Sequence, residues 1–200
     1  MAGALVRSVA AGETEAAAVV LANAFADDPV FRYIMRDRGD IERRIGHVFG
    51  DSIATELRKP SHLVQRTEDG HAVALWHEVD DWETPPIALV RSLPSTVRAF
   101  GTSLPRALSL LLAVEKVHPA EPHRHLAFIG THDKHKGNGQ GSALLRAMTE
   151  ECDEQGIAAY LENTNPRNEA WYARFGFESR GPIPLPDGAP VITAMWRVPR

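Results

Sequence analysis

The stretch from His125 to Gly141, HLAFIGTHDKHKGNGQG, constrains the fold of this 200-residue chain more than any other. An apolar run leads into a polar turn, and glycines at 137, 139 and 141 then open a helix. The residues that follow, QGSALLRAMTEECDEQG, place Leu144, Leu145, Met148 and Cys152 on one face at helical spacing. Strand, glycine-rich turn and helix start together make an anion site. The first-turn N–H groups have no intrahelical partner, and glycine removes the Cβ that would hold a phosphate away. Two familiar nucleotide fingerprints do not fit. A P-loop needs Gly-Lys-Ser/Thr after its last glycine, and a dinucleotide fingerprint needs GxGxxG where this chain has GxGxG. Taken alone, such glycines also read as a plain turn.

Composition bounds the alternatives. A chain 44% hydrophobic and 24% charged can bury one substantial core, so residues 1–200 are expected to form a single domain. A formal net charge of -4 with dispersed Lys and Arg gives no electrostatic case for a nucleic-acid partner. The lone Cys152 has no internal disulfide partner and reads as a small buried hydrophobe. No apolar run reaches membrane-spanning length, so a cytoplasmic protein with no membrane partner is expected, as a monomer or homodimer.

Lys136-Gly137-Asn138-Gly139-Gln140-Gly141 resembles the pyrophosphate signature of the GNAT acetyltransferases, Q/R-x-x-G-x-G/A, with Lys in place of the usual Gln or Arg. Downstream, residues 157–178 resemble the second half of the same core. There Asn168, Tyr172 and Gly176-Phe177 match N-x-x-x-Y-x-x-x-G-F. At finer grain the chain looks like the puromycin N-acetyltransferase type, through AFADDP, the strand ending in Trp76, GNGQGSALL and LENTNPRN before WY.

The resemblance implies an α/β fold, a mixed sheet of about six or seven strands splayed at the cofactor site with helices on both faces. It implies acetyl-CoA as cofactor, held by Ile129, Gly130, Thr131, by residues Lys136, Gly137, Asn138, Gly139, Gln140, Gly141 and Ser142, and by Asn168. It implies direct transfer of acetyl to a small-molecule primary amine in a ternary complex. Acetyl transfer needs a neutral amine, donors for an oxyanion and an acid for the leaving thiolate. A backbone N–H near Thr131 is the expected oxyanion donor and Tyr172 the acid, since a phenol near pKa 10 keeps its proton at neutral pH. Glu162 is the first choice of base and Glu78 the second, each also readable as a solvated carboxylate.

Phe25, Phe31, Tyr33 and Trp76 either line an acceptor pocket for a flat, partly apolar molecule or belong to the core. Histidines 118, 123, 125, 132 and 135 are read as loop histidines rather than a metal site, because direct transfer needs no metal; His132 is a candidate proton relay. A protein N-terminus or lysine acetyltransferase, or a non-catalytic acyl-CoA-binding or sensory module, are the competing functions.

Elsewhere, the pattern predicts strands at 4–10, 62–67, 72–78, 125–131, 158–162 and 191–198. Helices are expected over 12–26 and from Ile41 with Asp40 as its N-cap, and 30–35 reads as a short apolar turn or helix. A helical insertion at 87–117, broken at Gly101 and Pro105, is expected near the acceptor site.

Overall fold

The computed structural model describes residues 4–36, 39–60, 62–79, 96–97 and 99–200. Seven strands form one sheet: β1 Val6–Ser8, β2 Leu63–Thr67, β3 Ala72–His77, β4 His123–Thr131, β5 Ala158–Asn163, β6 Glu178–Pro182 and β7 Thr193–Arg197. Their order is β1-β2-β3-β4-β5-β7-β6, and among the described residues only the β4–β5 pair is parallel. The helices are α1 Thr14–Phe25, α2 Pro29–Met35, α3 Ile41–Glu56, α4 Leu104–Glu115, α5 Gln140–Gln155 and α6 Glu169–Ala173. This is the mixed, helix-covered α/β sheet that the sequence implied.

Alternation along the central strand divides the core. Val73 and Leu75 pack with α1 and α3, whereas Ala72, Ala74 and Trp76 pack with Leu144, Leu145 and Met148 of α5. Small residues set the approach of α1. A Cβ at Gly46 or Gly50 of α3 would lie 3.7 Å from that of Ala22 or 3.9 Å from that of Ala18. On β4, a Cβ at Gly130 would lie 2.7 Å from that of Ala24. Gly130 is therefore required to seat α1 against the strand, a packing demand separate from any ligand.

Local chemistry explains the starts of two helices and fails at a third. Asp28 caps α2, its Oδ1 accepting from the amide of Val30 at 2.8 Å, and Pro29 supplies the preset φ of the first turn. Asp40 does precede α3, but it sits at φ 60° with no capping bond from its side chain, which pairs with Arg43 at 3.1 Å instead. Of the expected insertion, residues 87–95 and 98 lie outside the described residues. Residues 96–97 and 99–100 are helical, a 3-10 turn, Gly101–Ser103, follows, and in α4 Pro105 stands in the first turn and starts the helix instead of breaking it.

Candidate active site

The parallel pairing of β4 with β5 runs from His123 opposite Ala158 to Leu126 opposite Leu161 and stops there. β4 continues to Thr131, still paired with β3, past a register shift at Leu75/Trp76. The N–H of His132 donates to the carbonyl of His71 at 2.9 Å. Because amides alternate sides in an antiparallel ladder, those of Ile129 and Thr131 face away from β3, into the gap beside β5. An extended amide chain could pair with them as an added strand.

At the end of this gap stands the N-terminus of α5. Gly137 and Gly139 have φ of 83° and 79°, and no heavy atom lies within 4 Å of where a Cβ would be on either. Both glycines meet a left-handed backbone requirement, and both leave the turn open. No side chain caps the helix start at Gly139. The N–H groups of Gln140, Gly141 and Ser142 thus remain for an anion. The Ser142 hydroxyl accepts from Trp171 Nε1 at 3.0 Å, Gln140 Nε2 donates to Asp69 at 2.8 Å, and Lys136 pairs with Asp133 at 2.5 Å. This arrangement fits a diphosphate joined to an extended amide arm, the shape of coenzyme A.

The gap opens into a cavity of about 1130 Å³. Ile129, Gly130, Thr131, Lys136, Gly137, Gly139, Gln140, Gly141, Ser142 and Asn168 line it, together with Glu162 and Tyr172; Asn138 is not among the lining residues. Phe25 and Phe31 line it too and join Phe49 and Phe128 in a cluster of edge-to-face and tilted rings with centroids 5.0–5.9 Å apart.

Four candidates fall elsewhere. Trp76 has no exposure and lies beneath α5 on the opposite face of the sheet, so it is core. Tyr33 packs beside the first core with Arg106 5.5 Å above its ring, and does not reach the cavity. Glu78 is also away from the cavity, held by Arg124 Nε at 2.9 Å, while Arg124 is further tied to Glu151 at 2.8 Å. Burial opposes the Glu78 charge, but the Arg124 hydrogen bond prevails and its pKa is lowered. His132 caps the turn at Asp133–His135 and does not line the cavity.

Tyr172 on α6 is buried, its ring 4.8 Å from Trp171 and 6.0 Å from Phe177. Burial, reinforced by the negative charge of Asp28, raises its phenol above the ordinary value of 10. Asp28 itself accepts from the Thr164 hydroxyl at 2.6 Å, joining the start of α2 to the loop after β5.

Glu162 is opposite in character. His125 Nε2 lies 2.7 Å from its Oε2 and His118 Nδ1 lies 3.5 Å from its Oε1. Burial works against the carboxylate charge, yet His125 and His118 outweigh it and the pKa is lowered well beneath the usual range. These histidines, and Asp28, are the cavity residues that the motifs did not reveal as partners. The one available signal was the spacing of His123 and His125, which places both rings on one face of a strand.

Residues 50–177 match the model of the Acetyltransferase (GNAT) family, and the chain belongs to that family. It is accordingly an acetyl-CoA-dependent N-acetyltransferase. An uncharacterized N-acetyltransferase of Schizosaccharomyces pombe is 25% identical over 184 residues, 86% of this chain and 73% of that protein. Among solved structures, one described as histone acetyltransferase HPA2 and related acetyltransferase, from Corynebacterium glutamicum, is 26% identical. It has a TM-score of 0.73 and coverage of 100% of this chain and 98% of that one. An agmatine N-acetyltransferase shares the fold at 15% identity and TM-score 0.67, over 98% of this chain and 100% of its own. Among the described residues, no helix is long and apolar enough to cross a membrane.

Proposed function

We propose that this enzyme acetylates the primary amine of a small molecule with an apolar body, as the puromycin N-acetyltransferase type does, by direct attack in a ternary complex. One observation carries the reading: the strand gap and the α5 turn open into the same cavity as the aromatic wall of Phe25 and Phe31 and the carboxylate of Glu162. An apolar wall suits a compact organic amine better than a solvated peptide strand. The agmatine enzyme among the structural neighbours is a small-amine acetyltransferase on this fold.

Bound across the gap, acetyl-CoA supplies an acetyl thioester. Ile129 and Thr131 orient its arm through their outward amides, and the α5 turn holds its phosphates. Tyr172 keeps a proton on Oη and delivers it to the departing sulfur. Glu162, held ionised by His118 and His125, attracts the cationic acceptor and passes the proton that the amine sheds on to its imidazole partners. Cys152 has no exposure and points from α5 into the core, so it offers no nucleophile for an acetyl-enzyme. A non-catalytic acyl-CoA sensor would have no use for a buried, proton-holding Tyr172 beside the gap.

The test is a panel of aromatic and aliphatic primary amines, a peptide N-terminus and a lysine peptide, followed by thiol release and product mass. The best apolar amine should exceed both peptides in kcat/KM by roughly a hundredfold, a discrimination of the size pocket contacts supply. A peptide that matches or beats every small amine contradicts the reading.

A further inference from the structure

The cluster around Glu162 has a geometry that proton transfer alone does not call for. Ligand atoms of His118, His125 and Glu162 all lie within 4.8 Å of one another. The three residues come from separate segments, the loop before β4, β4 itself and β5, and all three line the cavity. Two imidazoles and one carboxylate, with a fourth position open, form a recurrent zinc donor set. A tetrahedral ion with bonds near 2.1 Å sets its ligand atoms about 3.4 Å apart. The observed 2.7 and 3.5 Å from Glu162 to the two rings bracket that spacing.

The surroundings add an outer shell. His118 Nε2 is 3.1 Å from His123 Nε2, and the other ring nitrogen of His123 is 2.6 Å from the carbonyl of Glu121. A carbonyl only accepts, so His123 Nδ1 carries the proton and its Nε2 presents a lone pair. His118 then donates through Nε2, and its Nδ1, on the Glu162 side, is the atom that would coordinate an ion in place of its contact with Glu162 Oε1. Such a relay fixes ring tautomer and orientation at metal sites. Glu162 Oε1, meanwhile, is a buried oxygen approached by His118 Nδ1 at 3.5 Å, longer than a full hydrogen bond.

We infer that His118, His125 and Glu162 bind a divalent transition ion of the zinc type, with the fourth position facing the acceptor side of the cavity. The ion neutralises the buried carboxylate and takes the side chain assigned to the acceptor amine, so its binding inhibits acetyl transfer. That consequence, though not the binding itself, rests on the proposed function.

Metal-free full-length protein titrated with zinc chloride, by calorimetry and by competition with a chromophoric chelator, should bind one ion per chain at micromolar affinity or tighter. His118→Asn and Glu162→Gln should each weaken binding by on the order of tenfold or more. His71→Ala, at the separate His71–His135 stack 3.4 Å between centroids, should leave it unchanged. X-ray absorption on the zinc-loaded unsubstituted protein, which needs no variant to fold, should show two imidazole nitrogens and a carboxylate oxygen. Absence of binding, affinity in both cluster variants unchanged from the unsubstituted protein, or an all-oxygen shell overturns the site. Zinc bound at the cluster with acetyl transfer undiminished leaves the site standing and removes Glu162 from the proposed acceptor chemistry.

Discussion

Tyr172→Phe is expected to lower kcat by about 10²–10⁴, the contribution of a positioned general acid, while coenzyme A affinity stays within a few-fold. The substitution removes one oxygen from a ring packed against Trp171 and Phe177 and leaves those contacts in place. The residue is 7% exposed, so little water stands ready to replace the lost proton donor. The loss should shrink for acyl donors with better leaving thiols, which need less protonation. The pH profile gives a second check. An acid must be protonated to act, and burial with the Asp28 charge moves the Tyr172 ionisation above 10, so its proton is retained across the neutral and mildly alkaline range. The unsubstituted enzyme should therefore show no rate loss from phenol ionisation up to about pH 10. A variant with full kcat, where chemistry limits the rate, would reduce Tyr172 to a packing residue. Loss of coenzyme A binding together with rate would make its hydroxyl a cofactor contact.

Gly139→Glu should abolish most of the coenzyme A affinity, by about a hundredfold or more. Two effects act together. Position 139 has φ 79°, where a side chain costs roughly 1–2 kcal/mol, and every 1.4 kcal/mol is tenfold in binding. The new carboxylate also enters the open turn at the α5 N-terminus, where it competes with the phosphates for the same amides. Gly139→Ala separates the two, since it carries the backbone strain without the charge and should lose much less. Calorimetry reads both. Affinity unchanged in Gly139→Glu would remove the α5 turn as the phosphate site.

What the sequence revealed was what lies close along the chain. Gly137 to Gly141 and the helix face of Leu144, Leu145 and Met148 are a contiguous pattern whose physics is local. The splay after Leu126 and Leu161 followed from the family resemblance those motifs carried. What stayed hidden depends on register and long-range pairing. Trp76 and Glu78 belong to one strand region, and nothing in its apolar run says which residues face α5 and which face the cavity. His118, His125 and Glu162 meet only because β4 and β5 are paired in parallel, so no linear spacing displays them as a cluster. β6, Glu178–Pro182, is absent from the strands that the pattern predicts, since ESRGP lacks an apolar alternation. It becomes a strand by pairing with β7 across a register shift at Ser179/Gly181. Asp40 shows the local rule losing to geometry: its left-handed backbone turns the side chain toward Arg43 and away from the helix amides.

Hydrogen exchange of individual backbone amides, with and without saturating coenzyme A, tests the central claim that the splayed gap seats the thioester arm. Ile129 and Thr131, whose amides face the gap, should gain strong protection along with Gln140, Gly141 and Ser142. The β3-bonded amide of His132 should change little. Coenzyme A binding seen by calorimetry with no added protection at Ile129 and Thr131 would place the arm outside the gap and contradict the account.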